Sequence, residues 1–550
     1  MKKLVNLSKT IALLFAVVVG FSCNSKSQIA EEQSSPRIIN IINFIRQCEP
    51  RYEDITEDVL YETVVQQVKQ LSEYQLPGTF LLQYDALINP RYPELLKNND
   101  MPECEVGAWW EITQPHAEAA GLKWRGRFPW DWHADVGFAT GYTPEEREKL
   151  VDVYMKKFKS IFGKYPASVG SWFIDAHTLG YMYDKYKITA SCNCKDQIGT
   201  DGYTLWGGYW NQAYYPSRKN AYMPAQNECA QIPVPIFRML GSDPIHQYDN
   251  GLGGMSQGVI SLEPVYREGG ADRKWVEWFF QSLMEPALNF NYAQAGQENS
   301  FTWSEMREGL EIQIPLIDSL QKQGKIKVET LEASAKWFKE KFPVTPPTSF
   351  SALTDVRNEG HKTVWFNSRY YRANLLWKDS HFRFRDIHLF DEAFESDYLT
   401  KAGTSDQCIY TTLPFVDGFM WSTRDELAGL RIMDKDGNDL KFDTPAITAL
   451  EANVLQVELP TTDEQTFTMI FHEDKFEITS TKETQWALEL KAASGKELPF
   501  TEIEGNVIKA SYRNFDYSIV FTEGSLEKVP GSVFRILPNG NKITIDCSKR

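Results

Sequence analysis

Three things are missing from this sequence, and each removes a class of function. No cluster of lysine or arginine appears in a chain whose 58 basic side chains face 74 acidic ones, for a net charge of −16. A nucleic-acid backbone is therefore a poor partner. Beyond the N-terminal stretch, no apolar run approaches the ~20 residues of a membrane-spanning helix, so the remainder is expected not to insert. Cysteines are few: with Cys23 set aside they are Cys48, Cys104, Cys192, Cys194, Cys229, Cys408 and Cys547. Their odd number and irregular spacing exclude a disulfide framework. Cys192-Asn193-Cys194 has no second close pair to complete a zinc site and reads as two buried thiols at a strand end.

What is present begins with Met1-Lys2-Lys3, a short apolar run from Ile11 to Phe21, and Ser22-Cys23 followed by polar residues. A charged start and an h-region too short to span a bilayer describe a secretory signal. The Gly20-Phe21-Ser22-Cys23 junction resembles a bacterial lipobox, although Gly20 and Phe21 depart from its usual residues. The expectation is a signal peptide over 1–23, lipidation of Cys23, and a protein held at the cell envelope with the membrane as partner through that anchor. The length beyond it predicts two or more domains.

Residues 24–74 read as a polar lead-in and an N-terminal helical region, with Val59, Leu60, Val64, Val65, Val68 and Leu71 at helical spacing. From 75 to 345, short apolar runs alternate with amphipathic stretches: 79–84, 106–110, 168–174, 188–191, 235–240, 288–293 and 326–329. Such runs are strands buried on both faces, and seven or eight βα units predict a closed (β/α)7-8 barrel. Thr143-Pro144-Glu145-Glu146 predicts a capped helix start, and Thr302-Trp303-Ser304-Glu305 a second. After Pro343–Pro347 the helical period fades into many short strands separated by Asp, Gly and Asn turns, so 346–550 predicts an all-β sandwich. Asp434 to Asp439 imitates a calcium loop, lacks its closing Glu, and reads as a hairpin turn.

In such a barrel the C-terminal strand ends form the active face. The polar residues that follow the apolar runs are Asp85, Glu111, Asp175, Asp196, Asp243, Glu263 and Glu298. Asp196 and Asp243 are read as helix caps. Trp130-Asp131-Trp132-His133-Ala134-Asp135 and Asp175-Ala176-His177 are denser in acids and His than capping requires, so His133, Asp135 and His177 join the candidates. The stretch from Asp201 through Trp206 and Trp210 to Pro216 is too aromatic for a linker and reads as an ordered loop in contact with substrate.

Asp85 closing the first strand, the Asp175-Ala176-His177 strand end and the segment from Lys195 to Tyr203 together resemble the glycoside hydrolase/deacetylase superfamily over residues 75–345. That resemblance implies a seven-stranded barrel, often followed by a β-sandwich, and sugar hydrolysis or deacetylation. The deacetylase branch holds a metal through an acid and an H-x3-H pair on the second unit. Here that unit reads Glu111-Ile112-Thr113-Gln114-Pro115-His116 and has no such pair, so no cofactor is expected. The hydrolase branch needs one ionised and one protonated carboxyl group. The expected pair is Asp175 as nucleophile or base and Glu298 as acid, with an oligo- or polysaccharide substrate. Asp85, Glu111, His133, Asp135, His177 and Asp201 would hold hydroxyls, and Trp109, Trp110, Trp130, Trp132, Trp172, Trp206 and Trp210 would supply stacking faces. Two alternatives stay open. One is a deacetylase with a divalent metal at Asp85, His133, Asp135 and His177, and the other is a non-catalytic glycan-binding lipoprotein.

Overall fold

The computed structural model describes residues 35–254, 256–482 and 485–549. The readings of a signal peptide and of Cys23 fall outside the described residues. Among the described residues, no helix is long and apolar enough to cross a membrane.

Seven parallel strands form the barrel: β1 Arg37–Ile45, β2 Gly78–Leu82, β3 Cys104–Trp109, β4 Ser168–Gly170, β5 Ala190–Asn193, β6 Ile236–Arg238 and β7 Asn291–Ala295. Their order is β7-β1-β2-β3-β4-β5-β6, and the two-residue strand Lys327–Val328 also pairs with β1. Among the described residues no ladder joins β6 to β7. Side chains close that seam instead: the rings of Phe237 and Tyr292 lie 4.9 Å apart, and Gln212 Nε2 donates to Asn291 Oδ1 at 3.3 Å. Inside the barrel Phe44 stacks on Trp109 at 4.2 Å, and Trp172 meets both edge-on at 5.6 and 5.4 Å. Each buried indole removes at least ~150 Å² from water, about 4 kcal/mol.

The first strand, β1, lies in the stretch assigned from sequence to an N-terminal helical region; the helix itself is α1, Glu57–Tyr74. Arg-Ile-Ile-Asn-Ile-Ile-Asn-Phe-Ile carries a polar residue every third position, which imitates a helical period. In the strand both asparagines are buried and bonded. Asn40 Nδ2 donates to the Glu329 carbonyl at 2.7 Å and to Ser334 Oγ at 2.8 Å, and Asn43 Oδ1 accepts from the Gln297 N–H at 3.3 Å. Helix α2, Pro144–Phe162, carries the expected capping box at Thr143 and Glu146. The box expected at Thr302 is absent: helix Thr302–Lys322 has Phe301 at its cap with no side-chain bond, and Thr302 has φ 61°.

The C-terminal part is a β-sandwich of a nine-stranded and an eight-stranded antiparallel sheet. In the second sheet Val454–Pro460, Thr466–Phe471 and Lys475–Ser480 alternate buried and half-buried positions, the period-2 signature of a sheet with one covered face. Phe471 and Phe476 meet Phe366 and Phe384 of the first sheet at 5.4 and 5.7 Å. Asp434 Oδ1 accepts the N–H groups of Asp436 and Asn438 in the turn that resembled a calcium loop.

Barrel and sandwich are joined by the aromatic stretch expected to touch substrate. Tyr203–Trp206 pairs in parallel with Cys408–Thr411. Trp206 Nε1 donates to Asp417 Oδ2 at 2.9 Å, and Trp210 stacks on Trp365 at 4.5 Å and 5°. Tyr209 and Tyr215 donate to the carbonyls of Pro346 and Phe342.

Candidate active site

The residue directly after β1 is Arg46, and its backbone is tied to the end of β7. Its N–H donates to Asn299 Oδ1, and its carbonyl accepts from Asn299 Nδ2, both at 2.8 Å. This places the guanidinium among the acids of three strand ends. Nε and Nη2 grip Glu111 through both oxygens at 3.0 and 2.7 Å, Gln83 donates to the same carboxylate, and Nη1 faces Glu298 Oε2 at 2.9 Å. Glu49 Oε2 stands 3.9 Å from Nη1 and is held mainly by Arg51 at 2.7 Å. Trp130 covers the guanidinium face at 4.1 Å. Arg46, Glu49, Glu111 and Glu298 are all buried.

One guanidinium here faces more carboxylates than it can neutralise, and burial decides which takes up a proton. Glu298 is pushed up to about 7 by burial, against the pull of Arg46 and with a further push from Glu111. Its Oε1 accepts from Ser300 Oγ at 2.8 Å. Its Oε2, though close to Arg46, is off the direction of a hydrogen bond and has no hydrogen-bond partner. For Arg46, burial opposes the charge and the neighbouring acids outweigh it, so its pKa rises. Asp85 is also pushed up to about 7, by burial, with the Ala86 N–H bonded to its Oδ1 at 2.8 Å pulling the other way.

A second carboxylate is linked to Glu298 through one side chain. Gln297 Nε2 donates to Glu263 Oε2 at 2.7 Å, and Gln297 Oε1 accepts from the Glu298 N–H at 2.8 Å. Glu263 Oε1 accepts from Ser261 Oγ at 2.9 Å and faces Lys195 Nζ at 3.3 Å. Burial, then the charges of Glu263 and Glu298, push the half-buried Tyr266 phenol up. At the rim Trp132 is half-buried and stacks on exposed Phe128 at 6.1 Å and 14°. Arg51 reaches from Trp132 to Asp201, which it meets at 3.4 Å.

The expected residues therefore divide. Glu298, Glu111 and Trp130 meet at Arg46, and Asp201 is an exposed member of the rim. Asp175 does not join them. Its Oδ1 caps helix Ala176–Tyr181 by accepting from the Thr178 N–H at 2.9 Å, Oδ2 accepts from Thr178 Oγ1 at 2.6 Å, and Arg147 Nη1 pairs with Oδ1 at 2.9 Å. It shares no bonded partner with Glu298. His177, on that helix, pairs with Glu148 of α2 at 3.1 Å. His133 and Asp135 belong to the short helical turn over Ala134–Gly137; the His133 N–H donates to Asp131, which Arg127 holds by two bonds. Trp206 and Trp210 belong to the barrel–sandwich seam, Trp109 and Trp172 to the barrel interior, and Trp110 packs on His116 and Tyr154. Asp243 accepts the N–H groups of Ile245 and His246 in the turn before helix His246–Asp249, whose N-cap is Ile245 rather than Asp243. Asp196 is instead an ion-pair centre for Arg238 and Arg372 at 2.7 and 2.5 Å.

Arg46, Glu49, Lys195 and Gln297 were missed as site residues. Arg46 obeys the strand-end rule and escaped it only because β1 was read as helix. The residues at the mouth do not fit a catalytic metal: a guanidinium lies between Glu111 and Glu298, and no histidine joins them. Asp85, His133, Asp135 and His177 are not gathered into a ligand set. Among the described residues, the metal-capable group is His246, Asp355, Glu359 and His361, which shares no member with this cluster.

No protein-family model and no curated protein sequence matches the chain. Among solved structures it is similar to a candidate glycoside hydrolase/deacetylase from Parabacteroides distasonis, with a TM-score of 0.50 and 15% identity over 69% of this chain and 91% of that one. A candidate polysaccharide deacetylase from Mycobacterium smegmatis follows at TM-score 0.34 and 11% identity, covering 58% and 96%. One from Pseudomonas aeruginosa PAO1 has TM-score 0.35 and 10% identity, covering 56% and 93%. The first of these likenesses shows a shared fold: this chain, an α/β barrel carrying a β-sandwich, is built like that structure.

Proposed function

We propose that the protein is a glycoside hydrolase acting on an oligo- or polysaccharide, with Glu298 as proton donor and Glu263 as the opposing carboxylate. The observation that carries this reading is Glu298 itself. It is a buried strand-end acid whose affinity for a proton is raised to near neutrality, with one oxygen free of any hydrogen bond. A carboxyl group in that state protonates a leaving-group oxygen at neutral pH. Glu263, bonded through Gln297 and facing Lys195, supplies the negative charge that an oxocarbenium-like transition state requires. Arg46 and Glu111 position Glu298, and Phe128 with Trp132 offers a stacking face for a sugar ring at the rim. The carbohydrate chemistry named for the structural neighbour supports the same substrate class.

The test is a screen of oligo- and polysaccharides for release of reducing ends, repeated with Glu298→Gln and Glu263→Gln. Loss of turnover in both, with glycan binding retained, supports the assignment. Full turnover in either overturns that residue's role, and glycan binding without turnover by the unmodified chain moves the protein to the non-catalytic class. We place it at the cell envelope through a lipid on Cys23. Mass spectrometry of the mature N-terminus checks this, and a mature protein without an acyl group there refutes it.

A further inference from the structure

Where the barrel meets the sandwich, the loop after β6 brings His246 against the turn that leads into strand His361–Asn367. The two imidazole rings are 5.5 Å apart at 82°. One ligand-capable atom from each of His246, Asp355, Glu359 and His361 lies within 4.8 Å of the others.

The histidines lack the partners that buried imidazoles normally have. The His246 side chain is only 7% exposed, yet neither of its ring nitrogens makes a hydrogen bond, and Nδ1 of His361 makes none. Their nearest neighbours are carboxylates at ion-pair range: Asp243 Oδ1 is 3.5 Å from His246 Nδ1, and Glu359 Oε2 is 3.7 Å from His246 Nε2 and 3.5 Å from His361 Nδ1. A polar nitrogen left unpaired in the interior costs about 1–3 kcal/mol, so two such rings turned toward one glutamate need an explanation.

The surroundings are built to hold this geometry. Asp243 is fixed by the N–H groups of Ile245 and His246 and by Trp275 Nε1, all within 2.7–2.8 Å. It therefore stands behind Nδ1 of His246 and leaves Nε2 facing Glu359, the carboxylate–imidazole arrangement that orients metal-bound histidines. Asp355 accepts the N–H groups of Arg357, Glu359 and His361, which folds the turn so that Glu359 and His361 point the same way. Beside them runs a cleft of about 200 Å³ lined in part by His246, Arg357 and His361, and the Glu359 side chain is 49% exposed.

We infer that His246 Nε2, His361 Nδ1, Glu359 and Asp355 form a binding site for a zinc-class divalent cation that staples the barrel to the sandwich. Two imidazoles and two carboxylates at this spacing close to metal–ligand distances of about 2.0–2.2 Å with small side-chain movements. All four protein ligands are used, as in a structural rather than a catalytic site. The inference stands independently of the reading of Glu298.

The full chain, stripped with EDTA and titrated with zinc alone, tests it by calorimetry, elemental analysis of bound metal and thermal unfolding. One zinc per chain and a rise in unfolding temperature are expected. His246→Ala with His361→Ala abolishes both, and Asp243→Asn weakens zinc binding about 10- to 100-fold. Glu298→Gln leaves zinc binding unchanged. If the double variant fails to fold, Glu359→Gln decides, since it alters only a half-exposed side chain and must weaken zinc at least ~10-fold. No stoichiometric zinc, unchanged affinity in Glu359→Gln or in a folded double variant, or loss of zinc in Glu298→Gln overturns the site.

Discussion

Replacing Asp175 with Asn separates the chemistry its sequence position implies from the role its contacts give it. The carboxylate is one half of an ion pair with Arg147 in which both side chains are 0% exposed, at 2.9 Å. Removing one partner of a buried pair costs about 3–5 kcal/mol, because the other charge stays behind without its mate. Arg147 keeps four carbonyl acceptors, those of Tyr142 at 2.7 Å, Tyr398 at 2.6 Å, Lys401 at 2.8 Å and Thr140 at 3.5 Å, which places the loss near the lower bound. Asn also keeps an acceptor for the Thr178 N–H, so the cap, about 1 kcal/mol, is largely preserved. The expected loss is about 3 kcal/mol. It should appear as an earlier first transition in urea unfolding, since a chain of this size need not unfold in one step. Tyr398 and Lys401 lie in the segment that leads to Cys408–Thr411, so loosening should extend to the junction with the sandwich. Arg147→Met combined with Asp175→Asn should recover most of the loss, because it removes the stranded charge. Glycan turnover per folded molecule should change little. If Asp175→Asn unfolds with the unmodified chain and loses turnover a hundredfold, Asp175 acts in the chemistry and the contact argument fails.

Glu298→Gln should lower turnover by about 10²–10⁴-fold with glycan affinity retained, the usual worth of a general acid, measured by single-turnover kinetics. The active form carries the proton, so hydrolysis by the unmodified chain should fall as pH rises through about 7, and a profile flat from pH 6 to 9 would refute the donor role. Asp85 binds its proton more tightly folded than unfolded, so its contribution to stability is present below pH ~4 and lost as pH rises through about 7. Asp85→Asn keeps an acceptor for the Ala86 N–H and should stabilise the protein at pH 8 by at most ~4 kcal/mol, with little effect at pH 4; equal effects at both pH values would contradict the buried-carboxyl account. Trp210→Ala should cost about 3–5 kcal/mol by emptying the stack on Trp365 while leaving glycan affinity unchanged. A large fall in affinity with little loss of stability would return Trp210 to the binding surface.

The barrel and sandwich were legible in the sequence because both rest on local periodicity: buried runs at β2 to β7, and alternating strands such as Val454–Pro460 whose pattern survives in the fold. The site was legible only in part, and the failures share a cause. A strand-end acid is a general acid, an ion-pair partner or a helix cap according to what approaches it from distant sequence. Asp175 differs from Glu298 through Arg147, 28 residues away, whereas Glu298 is met by Arg46 across the β1–β7 pairing. The aromatic stretch over 201–216 is ambiguous in the same way: its composition suits a sugar platform and a domain junction equally, and its contacts with Trp365, Asp417 and Cys408–Thr411, all from the C-terminal part, put it at the junction. The error at β1 was the costliest. Two buried asparagines disguised the first strand as helix, and with the strand went Arg46, the guanidinium that pairs with Glu111 and Glu298. A polar residue in an apolar run is thus ambiguous until its hydrogen-bond partner is known. In this fold those partners are Glu329, Ser334 and Gln297, more than 250 residues away in the chain.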